Sequence, residues 1–269
     1  MEFDLFGMGD FSFDDMAYDV LCLGPISKEK GFAGEAVWQS ILLSPLGYEV
    51  CLVDSLENEA ESEWLQKEAK AYGIYTTKEI EKEAEKCKVI SVSELFAEGM
   101  MELTALKNFL IIGKENNVKI CVDPGSFTDV EKAKEVLREL APYIDYFIPN
   151  EEEAKLLSGQ NIPPMIAQEF MEMGMKNVII TMGMNGCFVK GDGAPFAMGA
   201  IWGETKDLIG VGANFSAGIV HGLFQDWQMK TICEFATGCA AVSAMYETPI
   251  DGAKTRKDQI KKILNNPYI

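Results

Sequence analysis

The segment Asp207-Leu208-Ile209-Gly210-Val211-Gly212-Ala213-Asn214-Phe215-Ser216-Ala217-Gly218 carries the densest chemical signal in the chain. Closely spaced glycines ahead of a helical run present unpaired backbone N–H groups and the positive end of a helix dipole. That combination suits a phosphate or a developing phosphoryl charge. It also suits a plain turn before a buried helix in which Gly218 and Gly222 allow close packing. Asn150 and Glu153, spaced i, i+3 after Tyr146-Phe147-Ile148-Pro149, could hold hydrated Mg²⁺, which takes one or two carboxylates plus waters and phosphate oxygens. The same pair makes an ordinary capping box. In Val178 to Val189 a strand, a glycine turn and a second strand follow one another; Thr181 and Gly183 could face a nucleotide phosphate, or the segment is a simple hairpin.

These residues need elements to hold them, and apolar runs of strand length alternate with longer amphipathic stretches. Strands are predicted at Phe3–Gly7, Val20–Leu23, Glu49–Val53, Lys88–Val92, Val118–Asp123, 145–148, Asn177–Thr181 and Gly186–Lys190. Helices are predicted at Val37–Leu46, Glu59–Tyr72, Met100–Asn116, 129–141, from Glu151, near Ile166–Met173, at Ala217–Phe224, Lys230–Tyr246 and Thr255–Leu264. Such alternation argues a mostly parallel sheet covered on both faces, with ligand loops beyond the strands' C-terminal ends. Asp10–Asp15, Asp123–Phe127, Asn150–Glu153 and Gly183–Gly186 all fall just after predicted strands. No linker, low-complexity tract or internal repeat divides the chain, so residues 1–269 read as one α/β domain. The first 35 residues are too strand-rich for a βαβ unit and read as a small appendage.

A net charge of −18 over 269 residues repels phosphate backbones and anionic lipid, which argues against nucleic-acid and membrane-surface partners. Seven cysteines without C-x-x-C spacing, several inside apolar runs, fit buried thiols in a reducing compartment. A single histidine, His221, excludes a histidine metal cluster and disfavours a Ser/His/Asp triad. The start, Met-Glu-Phe-Asp, lacks a basic signal-peptide region and no apolar run is long enough to span a bilayer. The expectation is a cytoplasmic protein.

In order and spacing, the three motifs resemble the PfkB family of carbohydrate kinases, which carries N-x-x-E, then T-x-G-x-x-G, then D-T-x-G-A-G-D at the start of a long helix. Here they stand as Asn150–Glu153, Thr181–Gly186 and Asp207–Ala213. Phe235-Ala236-Thr237-Gly238-Cys239 is similar to the family's adenine-side helix. The resemblance implies a three-layer α/β/α ribokinase-like fold with a mostly parallel central sheet and a reduced β lid from about residues 10–34. It implies ATP and Mg²⁺, with K⁺ in several members. Gly210, Val211 and Gly212 would form the anion hole. Asn150 and Glu153 would organise Mg²⁺ and the phosphates, and Thr181, Gly183 and Gly186 would line the phosphate and adenine side with Thr237 near the base. Asp207 matches an Asp that helps hold a monovalent cation, and Asp14 a carboxylate that grips acceptor hydroxyls.

Three departures accompany the resemblance. The family's catalytic Asp falls at Ala213, whose methyl group cannot accept a proton. Either an active enzyme is altered at this one position, which the intact surroundings favour, or the chain is a natural pseudokinase that binds nucleotide or metabolite. The G-G-x-x-x-N acceptor motif reads Ala33-Gly34-Glu35-Ala36-Val37-Trp38, so an indole replaces the Asn that hydrogen-bonds a sugar hydroxyl; Trp38 could stack on a ligand or pack on the protein. Asp123-Pro124-Gly125-Ser126 resembles a D-x-N-x-R loop with its polar side chains lost. The lid is short, and Lys78–Lys86 reads as a solvated helix face running straight into the next strand. A homodimer completing the pocket through the lid is the corresponding expectation. A dinucleotide-binding oxidoreductase fails because Gly7-Met8-Gly9 is followed by Ser12 and no helix, and the Walker motif is missing.

Overall fold

In a computed structural model, the residues described are 18–26, 32–56, 58–98, 100–201, 203, 205–248 and 250–251. The predicted strand Phe3–Gly7, the helix Thr255–Leu264 and Asp14 lie outside them. Among the described residues, nine strands form one sheet in the order β3-β2-β1-β4-β5-β6-β7-β8-β9. They are β1 Val20–Leu23, β2 Val50–Val53, β3 Tyr75–Thr77, β4 Val89–Val92, β5 Lys119–Val122, β6 Tyr146–Phe147, β7 Asn177–Thr181, β8 Cys187–Lys190 and β9 Phe196–Met198. All pairs from β3 through β7 are parallel, and β8 and β9 add antiparallel to that edge.

Strand alternation assigns each side chain to a layer. Val20 and Cys22 enter one apolar layer, covered by α1 (Glu35–Leu43), α2 (Glu59–Lys70), α8 (Val211–Phe224) and α9 (Met229–Ala244). Leu21 and Leu23 enter the other, covered by α3 (Ile80–Ala84), α4 (Leu103–Glu115), α5 (Val130–Leu140), α6 (Glu151–Ser158) and α7 (Pro163–Glu172). β1, β2 and β4 are buried throughout, the pattern of strands covered on both faces. All seven cysteines are buried free thiols. Among the described residues no helix is long and apolar enough to cross a membrane.

The structure corrects several expectations. Val20–Leu23 is no part of a lid or appendage: it sits mid-sheet, paired with both β2 and β4, because four consecutive apolar residues can be buried only between covered faces. Tyr75–Thr77 is a strand beside β2, so the Lys78–Lys86 stretch connects an edge strand to β4 through the short helix α3. β9 was not predicted either. The helix expected from Ala217 begins at Val211, which puts Gly212, Ala213 and Asn214 in its first turn.

Candidate active site

The sheet order reverses at β1 and β4, which are hydrogen-bonded neighbours. The chain leaving β1 leads to α1 on one face, and the chain leaving β4 leads to α4 on the other, so a crevice opens beyond their C-terminal ends. Glu35 enters this crevice from α1, Glu94 from just after β4, Asp123 from just after β5, Asn150 from just after β6 and Thr181 from the end of β7.

Across the crevice stands the N-terminus of α8. Gly210 is its N-cap at φ 76°, a left-handed conformation that an L side chain would strain, and among the described residues no side chain caps the helix. The first intrahelical bond runs from Asn214 N–H to the Gly210 carbonyl at 3.0 Å, so the N–H groups of Gly212 and Ala213 precede the ladder. Gly212 belongs to the wall of two cavities. The smaller, about 130 Å³, is also lined by Asp123, Asn150, Glu153, Thr181 and Ser216. The larger, about 660 Å³, is lined by Gly34, Trp38, Leu208, Ile209 and Gly210. Glu35, Glu94 and Gly212 are common to both.

Asn150 and Glu153 form the complete capping box: Glu153 N–H donates to Asn150 Oδ1 and Asn150 N–H to Glu153 Oε2, both at 2.9 Å. The box engages one Glu153 oxygen and leaves Oε1 to reach a cation. Desolvation pushes the Glu153 carboxyl up to about 7, against the lowering effect of the Asn150 N–H and with Glu35 adding to the rise. Asp123 is pushed up to about 8 by burial and by Glu153, although it accepts the Gly125 N–H at 2.9 Å. Burial and then the charges of Asp123 and Glu94 raise Glu35 well above the usual carboxylate range. Among the described residues no three His, Cys, Asp or Glu side chains form a metal cage. A Mg²⁺ held by one carboxylate, waters and phosphate oxygens is compatible with what Glu153 offers.

The remaining predicted residues divide. Val211 opens α8, and Ala213 is fully buried within its first turn. Asn214 faces away: its Nδ2 donates to the Gly210 carbonyl at 2.8 Å and to Ser243 Oγ at 3.0 Å. Asp207 is half-buried and folds onto its own loop, Oδ1 accepting the N–H groups of Leu208 and Ile209. Gly183 and Gly186 flank the turn after β7, and neither lines the two cavities. Thr237 is buried on α9 with its hydroxyl donating to the Cys233 carbonyl at 2.7 Å. Trp38 packs on the core as well as lining the larger cavity.

Sequence reasoning assigned no role to Glu35, Glu94 or Ser216. Glu94 follows β4 at the strand edge where ligand loops gather, and Glu35 follows a glycine at a helix start; both signals were available. Their convergence needed the sheet order.

Residues 29–256 match the pfkB family carbohydrate kinase family. A 6-phosphofructokinase described as ATP-dependent, from Thermoanaerobacterium thermosaccharolyticum, is 26% identical over 160 residues, covering 56% of this chain and 49% of that protein. The 2-dehydro-3-deoxygluconokinase of Bacillus subtilis is 26% identical over 137 residues, covering 51% and 42%. The matched region thus spans about half the length of these relatives or less. Among solved structures, an E. coli protein assigned as a ribokinase II in complex with ATP and Mg²⁺ superposes with a TM-score of 0.75 at 18% identity, covering 92% of this chain and 99% of that one. Arabidopsis thaliana ribokinase complexed with ribose and ATP gives 0.74 at 15% identity, covering 93% and 99%. The fold is ribokinase-like, and the chain belongs to the PfkB family of carbohydrate kinases.

Proposed function

We propose that the chain is an ATP-dependent phosphotransferase acting on a hydroxyl of a sugar or sugar-like small molecule, with turnover severely reduced because Ala213 stands where the base belongs. The observation that carries this reading is the uncapped N-terminus of α8, bordering both a large cavity beside Gly34 and Trp38 and a small one beside Asn150, Glu153 and Thr181. In it, the N–H groups of Gly210 and Gly212 stabilise the charge developing on the phosphoryl group, whereas the Val211 N–H, expected to join them, already donates to the Leu208 carbonyl at 3.3 Å. Glu153 would help hold Mg²⁺, which would supply charge neutralisation at the phosphates. Gly34 and Trp38 line the acceptor space. A relative named as a 6-phosphofructokinase, another named as a 2-dehydro-3-deoxygluconokinase, and a neighbour complexed with ribose and ATP support a sugar-like acceptor. The roles of Asp14 on the acceptor, of Gly183, Gly186 and Thr237 on the nucleotide, of Asp207 with K⁺, and dimerisation through the lid rest on the resemblance alone.

The second reading, a pseudokinase that retains the pocket for sensing, is favoured by the methyl group of Ala213 itself. ADP release by the chain and by Ala213→Asp, with Mg²⁺, K⁺ and a panel of sugars, sugar phosphates and nucleosides, separates the two. The Ala213→Asp variant is expected to turn over about 10²-fold faster or more, the usual worth of a positioned base. ATP binding without turnover by either protein supports the sensing reading instead. Equal, robust turnover by both sinks position 213 as the site of the base.

A further inference from the structure

The two cavities meet at one wall, made of Glu35, Glu94 and Gly212. An acceptor in the larger cavity can reach a phosphoryl group at the start of α8 only past these residues. Three of the four carboxylates around the smaller cavity have a hydrogen-bond donor. Glu94 Oε2 accepts the Glu35 N–H at 3.3 Å, Asp123 Oδ1 the Gly125 N–H, and Glu153 Oε2 the Asn150 N–H. Glu35 differs: its Oε2 is buried with no hydrogen-bond partner among the described residues. Its other oxygen faces α8, with Oε1 only 3.8 Å from where a Cβ on Gly212 would stand. Oε1 thus stands at the wall between the two cavities, where an attacking hydroxyl can donate to it, while the buried Oε2 leaves the carboxylate short of a donor.

We propose that Glu35 is a catalytic residue that receives the acceptor's hydroxyl proton, the task for which position 213 carries no group. This rests on the kinase reading above. The acceptor oxygen forms a bond to the γ-phosphorus of ATP as the bond from that phosphorus to the β–γ bridging oxygen breaks. ADP leaves with the electron pair, and the hydroxyl proton passes to the Glu35 carboxylate. Asn214 cannot substitute, since an amide is not basic and its Nδ2 is turned to Gly210 and Ser243.

The test compares the unaltered chain, Glu35→Gln, Ala213→Asp and the double variant for ADP release with the acceptor panel, with calorimetric ATP binding as the second readout. Glu35→Gln is expected to bind ATP as the unaltered chain does and to lose about 10²-fold or more of its ADP release. Adding Ala213→Asp should restore turnover, which also establishes that the fold tolerates the Gln substitution. Undiminished turnover in Glu35→Gln overturns the proposal. So does a silent unaltered chain beside an active Ala213→Asp, and in both cases the kinase reading survives. ATP binding without turnover in any variant overturns Glu35 as a base and favours the sensing protein. Loss of both ATP binding and turnover in all four removes the kinase reading and the Glu35 assignment with it.

Discussion

Two glycines near the site differ in what a methyl group would do. On Gly212 a Cβ would make only an ordinary contact with Glu35, so Gly212→Ala should unfold within about 0.5 kcal/mol of the unaltered chain. Turnover should nevertheless fall, because the methyl group would stand between the helix N–H groups and the cavity. Gly186 has φ 85°, and a Cβ there would run into the Met198 carbonyl oxygen, a backbone atom that cannot swing aside. Gly186→Ala should therefore cost about 2–4 kcal/mol in denaturant unfolding. An undiminished midpoint would show that the turn after β7 can open without loss. Both glycines were legible as motif members. That one is needed for its open space and the other for its backbone conformation became visible only with their neighbours in place.

The position of Glu35 depends on α1, and α1 is tied to the sheet by a buried polar link. Gln39 Nε2 donates to Ser93 Oγ at 2.8 Å, and Ser91 Oγ donates to Gln39 Oε1 at 2.7 Å, all three residues being buried. Gln39→Leu would leave two serine hydroxyls without that partner, and is expected to cost about 2–3 kcal/mol in thermal or chemical unfolding. A smaller effect would mean that the serines find other partners. Nothing in the sequence marked Gln39, because a polar residue in a helix reads as solvent-facing until the strand beneath it is known. Short elements escaped for a related reason. β3 and β9 have three residues each and are only partly buried at the sheet's edges, too short for an alternating pattern to register. α8 begins earlier than its propensities suggest, since Gly212 weakens a helix that tertiary packing then enforces. The glycine at 218 comes so close to α9 that a Cβ would sit 2.5 Å from Ala236 Cα.

For the molecule as a whole, the carboxylates gathered at one sheet edge couple the site to stability. Folding raises Asp123 from 3.8 to about 8 and Glu153 from 4.5 to about 7, and raises Glu35 in the same direction. Between the unfolded and folded values the native state binds more protons than the unfolded chain, so stability falls as pH rises through that window. Self-repulsion at a net charge of −18 acts in the same sense. Thermal unfolding in the absence of ligand should give a higher Tm near pH 5 than near pH 8. Asp123→Asn should flatten the slope while keeping the Oδ1 bond to Gly125. A flat profile for the unaltered chain would mean that these carboxylates ionise as they do in water.

The sequence by itself determined the α/β alternation, most of the strands and helices, and the glycine turn that opens α8. It did so because the period of apolar residues and the backbone demands of glycine are local properties. It also determined that position 213 carries a methyl group, which has no atom able to accept a proton. The tertiary structure decided which strands are neighbours, and so placed β1 inside the sheet, between β2 and β4, rather than in a lid. The reversal of strand order at β1 and β4 parts the chain to opposite faces and brings Glu35, Glu94 and Gly212, remote in sequence, to one wall. Contacts between residues so far apart along the chain depend on the packing of whole layers, which no local pattern encodes.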